Sequence, residues 1–200
     1  MSAAVHPLVS PWGRFGLYSY FIDAPEPAIV DTGIASSPAE GLLPALQQLG
    51  RSIEDVRWIL LTHGHIDHLG GAQALHDLTG GKAKVVIHEA DAPLLRSRQA
   101  HVDEYVQGRS RYLNAPDGAQ QQAQTAQAVI SGEMEPAVLV RGGETLSLGG
   151  KSFNQCVADV LNRLFNTRLT AWDVEFAAGR CPVRLSNLPQ KTILAECRHN

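Results

Sequence analysis

Cysteine is scarce: Cys156, Cys181 and Cys197 are the only three in 200 residues. Their number is odd and none shares a C-x-x-C spacing, which argues against a disulfide framework and suits a reducing compartment. Long apolar runs are missing, and none reaches the roughly 20 residues of a membrane helix, so no membrane partner is expected. Charge of one sign is not in excess either. Seventeen Lys plus Arg against twenty Asp plus Glu leave a net charge of -3, so no basic field exists to gather nucleic acid. Residues 1–11 carry no Lys or Arg and no apolar core of signal-peptide length, so export is not expected and the location is read as cytoplasmic.

What is present is the composition of a folded domain, 44% hydrophobic and 18% charged, enough for one core. That composition changes near residue 151. All three cysteines and five of the six asparagines follow it, while seventeen of the eighteen glycines precede it. Residues 1–150 hold 10 basic and 16 acidic side chains (net -6), whereas residues 151–200 hold 7 and 4 (net +3). The expected organisation is a domain over 1–150 and an atypical tail over 151–200.

Hydrophobic patterning predicts alternating strands and helices. Residues 15–23 read as a strand, a turn follows at A-P-E-P, and Ala28 to Val30 return to deliver Asp31 at a strand end. Ser37-Pro38 opens a helix with Leu42, Leu43, Leu46 and Leu49 on one face, ended by Gly50. Val56 to Leu61 is an apolar run without breakers, as in a strand covered on both sides. A helix over Ala72 to Leu78 closes at Gly80-Gly81, and Lys84 to Ile87 form the next strand. Asp91 to Arg98 and about 117–130 read as helical, the segment between them has no clear period, and 138–140 with 145–148 are expected as a second hairpin. The class is α/β.

The chemistry is concentrated in Thr62-His63-Gly64-His65-Ile66-Asp67-His68-Leu69-Gly70-Gly71. His63 and His65 are two apart in an extended segment, so they point to one side and can share an ion. Asp67 and His68 lie in the turn into a helix, where they can face a second. Imidazole and carboxylate donors suit zinc, with iron or manganese as alternatives. Three histidines and an aspartate within six residues would repel and protonate readily without a cation. Single histidines such as His6, His76, His101 and His199 are read as ordinary packed or surface residues. Gly64 is expected to permit tight packing between ligands, and Gly70-Gly71 to let the backbone turn close to the helix without a Cβ.

This segment resembles the metallo-β-lactamase superfamily, whose signature is H-x-H-x-D-H after a strand. The likeness spans about residues 15–150 and includes Asp31-Thr32-Gly33, similar to the family's early strand-end aspartate. It implies an αββα sandwich, incomplete in its second half here. It further implies that His63 and His65 bind one metal and Asp67 and His68 another, with Asp31 holding a ligand in place. The implied activity is hydrolysis of a small ester, thioester, lactone or amide by metal-bound hydroxide, with Asp67 also orienting that hydroxide.

The family's later ligands, a histidine in a P-G-H turn, a bridging aspartate and a last histidine, have no counterpart. Residues 149–157 read GGKSFNQCV, and the only later histidine is His199. His88 is the other histidine at a strand end. A reading-frame change, an alternative exon or a fusion near residue 151 would account for both the lost ligands and the altered composition. Marginal stability and a homodimer are then expected, because one sheet would lack its cover. The alternatives to a zinc hydrolase are a catalytically impaired metal-binding remnant and a mononuclear iron thiol oxygenase. A small-molecule substrate is expected, with Tyr105, Arg109, Arg111 and Tyr112 as candidate contacts.

Overall fold

The computed structural model describes residues 4–108 and 118–149. They fall into two compact units, His6–Val140 and a smaller one comprising residues 4–5 with 141–149. The tail boundary expected near 151, Cys156, Cys181, Cys197 and His199 lie outside the described residues, as do Arg109, Arg111 and Tyr112.

The architecture is α/β, as the alternating pattern predicts. Six strands form one sheet in the order β1-β2-β3-β4-β5-β6: β1 (Ala4–Trp12), β2 (Phe15–Asp23), β3 (Ala28–Val30), β4 (Trp58–Leu60), β5 (Lys84–His88) and β6 (Val138–Val140). β2 runs antiparallel to β3, while β3, β4, β5 and β6 are mutually parallel. Among the described residues there is one sheet.

Each parallel connection carries a helix across the sheet, as a crossover must. A π-helical turn at Pro38–Leu42 continues into α1 (Leu43–Gln48) between β3 and β4. The chain from β4 to β5 holds α2 (Ile66–Leu69) and α3 (Ala72–Leu78). Helices α4 (Ala92–Arg96), α5 (Arg98–Gly108) and α6 (Gly118–Val129) lie between β5 and β6. No helix among the described residues is long and apolar enough to cross a membrane.

β4 and β5 are interior strands and bury both faces: Trp58, Ile59 and Leu60, then Val85, Val86 and Ile87, are all buried. Leu42 and Leu46 from the first helical segment and Leu69, Ala72 and Leu75 from α2 and α3 cover them, with Phe21 and Ile29 in the same core. Each leucine, isoleucine or phenylalanine among them contributes about 1.5–3 kcal/mol on leaving water. This core fixes the C-terminal ends of β3 and β4 side by side, because Val30 pairs with Leu60 and Leu60 with Val86.

Three elements differ from the sequence reading. β1 precedes the first strand expected, and Pro7 and Pro11 disguise it; both are exposed on an edge strand, where a missing N–H costs no ladder bond. Residues 98–108, mostly within the segment without a clear period, form α5, which buries Val102 but leaves Val106 exposed. So weak a stripe gives no helical signal. The expected second hairpin does not form, because β6 pairs in parallel with β5 through Val86↔Val138 and His88↔Val140. Residues 145–148 contribute only one bridge residue, Ser147.

Candidate metal centre

The cluster sits at the carboxyl ends of parallel strands, the place where open α/β sheets present ligand-binding groups. β3 ends into Asp31, whose N–H donates to the Leu60 carbonyl at 2.9 Å, so Asp31 lies beside the chain leaving β4. That chain runs through Thr62, His63, Gly64 and His65 before α2 begins, with His65 extended at φ -71°, ψ 148° as its N-cap. Asp31 itself is left-handed, at φ +58°, a conformation that Asp and Asn tolerate better than other side chains.

Asp31 is 6% exposed and is the hub of the cluster. Its Oδ1 accepts from the Thr62 N–H at 2.9 Å, both its oxygens lie 2.9 Å from the Thr62 hydroxyl, and Oδ2 lies 2.8 Å from His68 Nδ1. A carboxylate accepts only, so His68 carries a proton on Nδ1, and it is the neutral ring that presents Nε2 bare. Thr32 secures the backbone of the same residue, its N–H and hydroxyl donating to the His68 carbonyl at 2.7 and 2.8 Å.

The three imidazoles come together. His63 Nε2 lies 3.0 Å from His65 Nδ1, the His63 and His65 rings meet edge to face at 4.6 Å, and the His63 and His68 ring centres are 4.0 Å apart. Asp67 Oδ2 is 3.7 Å from His68 Nε2. His88 stands apart at the end of β5, its Nδ1 accepting from the Ala90 N–H. His76 and His101 are satisfied by the carbonyls of Ala83 and Leu94, as expected of packed histidines. Thr62 and Thr32 are the participants the sequence reading missed. Their contacts cross 31 and 36 positions of the chain, and the only local hint was their place at the head of the histidine motif and beside Asp31.

Gly70 and Gly71 have the expected mechanical role, whereas Gly64 makes room for Leu94 rather than for packing between ligands. A Cβ on Gly70 would collide with the carbonyls of Ile66 and Val129, and one on Gly71 would come within 2.5 Å of the Thr32 carbonyl. A Cβ on Gly64 would strike the end of the Leu94 side chain.

Electrostatics divide the histidines. Burial, followed by the neighbouring His68 and His65, lowers the His63 pKa against the opposing pull of Asp31 and Asp67. That favours the neutral imidazole a metal requires. His68 goes the other way: burial opposes its charge, but the hydrogen bond and charge of Asp31, with Asp67, outweigh it and raise its pKa.

The donors fit zinc in kind, being imidazole nitrogens and a carboxylate. They also fit in the paired approach of His63 Nε2 and His65 Nδ1: two nitrogens on one tetrahedral zinc at about 2.0–2.1 Å would stand about 3.3 Å apart. As arranged, no three or more His, Cys, Asp or Glu among the described residues converge on one ion.

Residues 12–153 match the metallo-beta-lactamase superfamily. No curated protein matches the chain. Among solved structures it is similar to a beta-lactamase from Chitinophaga pinensis, at 26% identity and a TM-score of 0.51 over 68% of this chain and 43% of that one. A subclass B3 metallo-beta-lactamase from a soil metagenome library gives 24% identity and a TM-score of 0.53, covering 76% and 48%. A metallo-beta-lactamase family protein from Thermus thermophilus gives 23% and 0.57, covering 76% and 50%. The chain therefore spans half or less of the length of these structures.

Proposed function

The chain belongs to the metallo-beta-lactamase superfamily, and from that premise we propose that it is a metal-dependent hydrolase of a small carbonyl substrate, an ester, thioester, lactone or amide. The observation that carries the reading is the convergence of His63, His65 and His68 at the ends of β3 and β4, with one ring fixed by a buried aspartate. Carboxylate-supported histidine is the arrangement that orients a ligand and raises its basicity.

His63 Nε2 and His65 Nδ1 would hold one cation, and His68 Nε2 with Asp67 a second; zinc is the preferred ion. When bound, the metal supplies acidity to water and polarises a carbonyl oxygen. The protein's own residues do the rest. Asp31 keeps a His68 proton on Nδ1, which leaves Nε2 on the Asp67 side of the ring. Asp67 is half-buried beside His68 Nε2, where its free oxygen can orient water and take up a proton as the nucleophile adds to the carbonyl carbon. Gly64, with no Cβ, lets the histidine segment pack against Leu94.

Metal analysis of the purified protein beside a broad screen of ester, thioester and lactone hydrolysis tests this reading. Wild type should hydrolyse at least one class in a zinc-dependent way, and His65→Ala should lose about a hundredfold or more of that activity, since even the groups that only support a ligand are worth about 10–100-fold. Equal hydrolysis by wild type and His65→Ala would overturn it. Sub-stoichiometric metal without hydrolysis would favour the impaired remnant, and one iron per chain the thiol oxygenase.

A further inference from the structure

We propose that Thr62 is a positioning residue that sets the tautomer of His63, and through it which nitrogen that ring offers to a metal. The inference rests on the metal reading above and deepens it.

A hydroxyl has one proton and two lone pairs. The Thr62 hydroxyl lies 2.9 Å from both oxygens of Asp31 and 2.9 Å from His63 Nδ1. Asp31, as a carboxylate, can only accept, so the Thr62 proton is donated to it. Were that proton turned to His63 instead, the hydroxyl lone pairs would face the carboxylate at 2.9 Å with nothing between. With its proton committed to Asp31, the hydroxyl accepts, and His63 Nδ1 must carry the hydrogen.

The consequence appears on the other side of the ring. His63 Nε2 is left without a proton and faces His65 Nδ1 at 3.0 Å. The single proton between those two nitrogens therefore belongs to His65, and it must leave before both can ligate one cation. Asp31 thus orders two imidazoles, His68 directly through Oδ2 and His63 through the intervening hydroxyl. Thr62 is itself exposed, so removing its hydroxyl leaves no cavity.

The test compares wild type, Thr62→Val, which keeps the β-branched shape without the hydroxyl, and Thr62→Ser, which keeps the hydroxyl. Two quantities are read: the nitrogen chemical shifts of His63 in metal-free protein at about pH 8, above the ordinary imidazole range, and the affinity for zinc. Wild type should show His63 protonated on Nδ1. Thr62→Val should populate the Nε2-protonated form and bind zinc about 10–100-fold more weakly, and Thr62→Ser should restore both. An Nε2-protonated His63 in wild type overturns the proposal without any variant. So does a tautomer unchanged in Thr62→Val, or one that shifts with no change in zinc affinity. A wild type that binds no zinc yet shows the Nδ1 proton would defeat the metal reading and leave the Thr62 relay standing.

Discussion

Asp31 Oδ2 and His68 Nδ1 meet at 2.8 Å across 37 positions of sequence, joining the end of β3 to the helix that follows β4. The pair links backbone to chemistry, because Asp31 adopts a left-handed conformation to reach the ring. Asp31→Asn keeps a side chain suited to that backbone but lacks the pure acceptor His68 needs, so zinc affinity should fall about 10–100-fold. Asp31→Ala should lose the same affinity and be a further about 1–2 kcal/mol less stable than Asp31→Asn, the cost of the left-handed backbone for an ordinary residue. Zinc titration and denaturant unfolding of the two variants check both parts.

The glycines of the histidine segment separate rigid from yielding neighbours. Gly70→Ala drives a Cβ into two carbonyl oxygens, those of Ile66 and Val129, and should cost about 3 kcal/mol, the upper end of overpacking effects. Gly64→Ala meets the end of the Leu94 side chain, which can turn aside, and should cost less. Parallel urea melts would contradict this if the order were reversed.

His101 makes stability depend on pH. Burial first, then the charge of His65, lowers its pKa, against the Leu94 carbonyl and Glu104. The unfolded chain therefore takes up the His101 proton before the folded one does. The stability this neutral ring confers is present in full above the ordinary imidazole value of about 6.5 and declines as pH falls from there towards the lower folded value. His101→Gln should show a shallower loss than wild type between about pH 7.5 and 5.5, read from denaturant midpoints. Identical slopes would refute the assignment.

Much of this was legible in the sequence because the signals are local. The apolar runs of β4 and β5, the Leu repeat into α1 and the Gly80-Gly81 stop each lie within a few residues, and all appear where expected. The histidine motif was equally plain. β1 was hidden because proline reads as a breaker unless the strand is known to be an edge, and edge status is a property of the sheet. The pairing of Val138–Val140 is hidden for a related reason: an apolar stretch followed by Gly142-Gly143 looks like a hairpin, whereas its partner, β5, lies far back along the chain at Lys84–His88. Thr62 went unnoticed because its role depends on Asp31, 31 residues away, and on a hydroxyl whose single proton has only one place to go.

His63, His65, His68 and Asp67 are proposed above to hold zinc. Stripping the protein with a chelator and titrating zinc back, with metal content and melting temperature followed together, decides whether they do. Wild type should bind one or two ions per chain and gain about 2.7 kcal/mol of stability at a hundredfold excess of free zinc over Kd, while His63→Ala/His65→Ala should lose that gain. A wild type that stays metal-free in excess zinc, or a double variant that binds as tightly, would contradict that assignment.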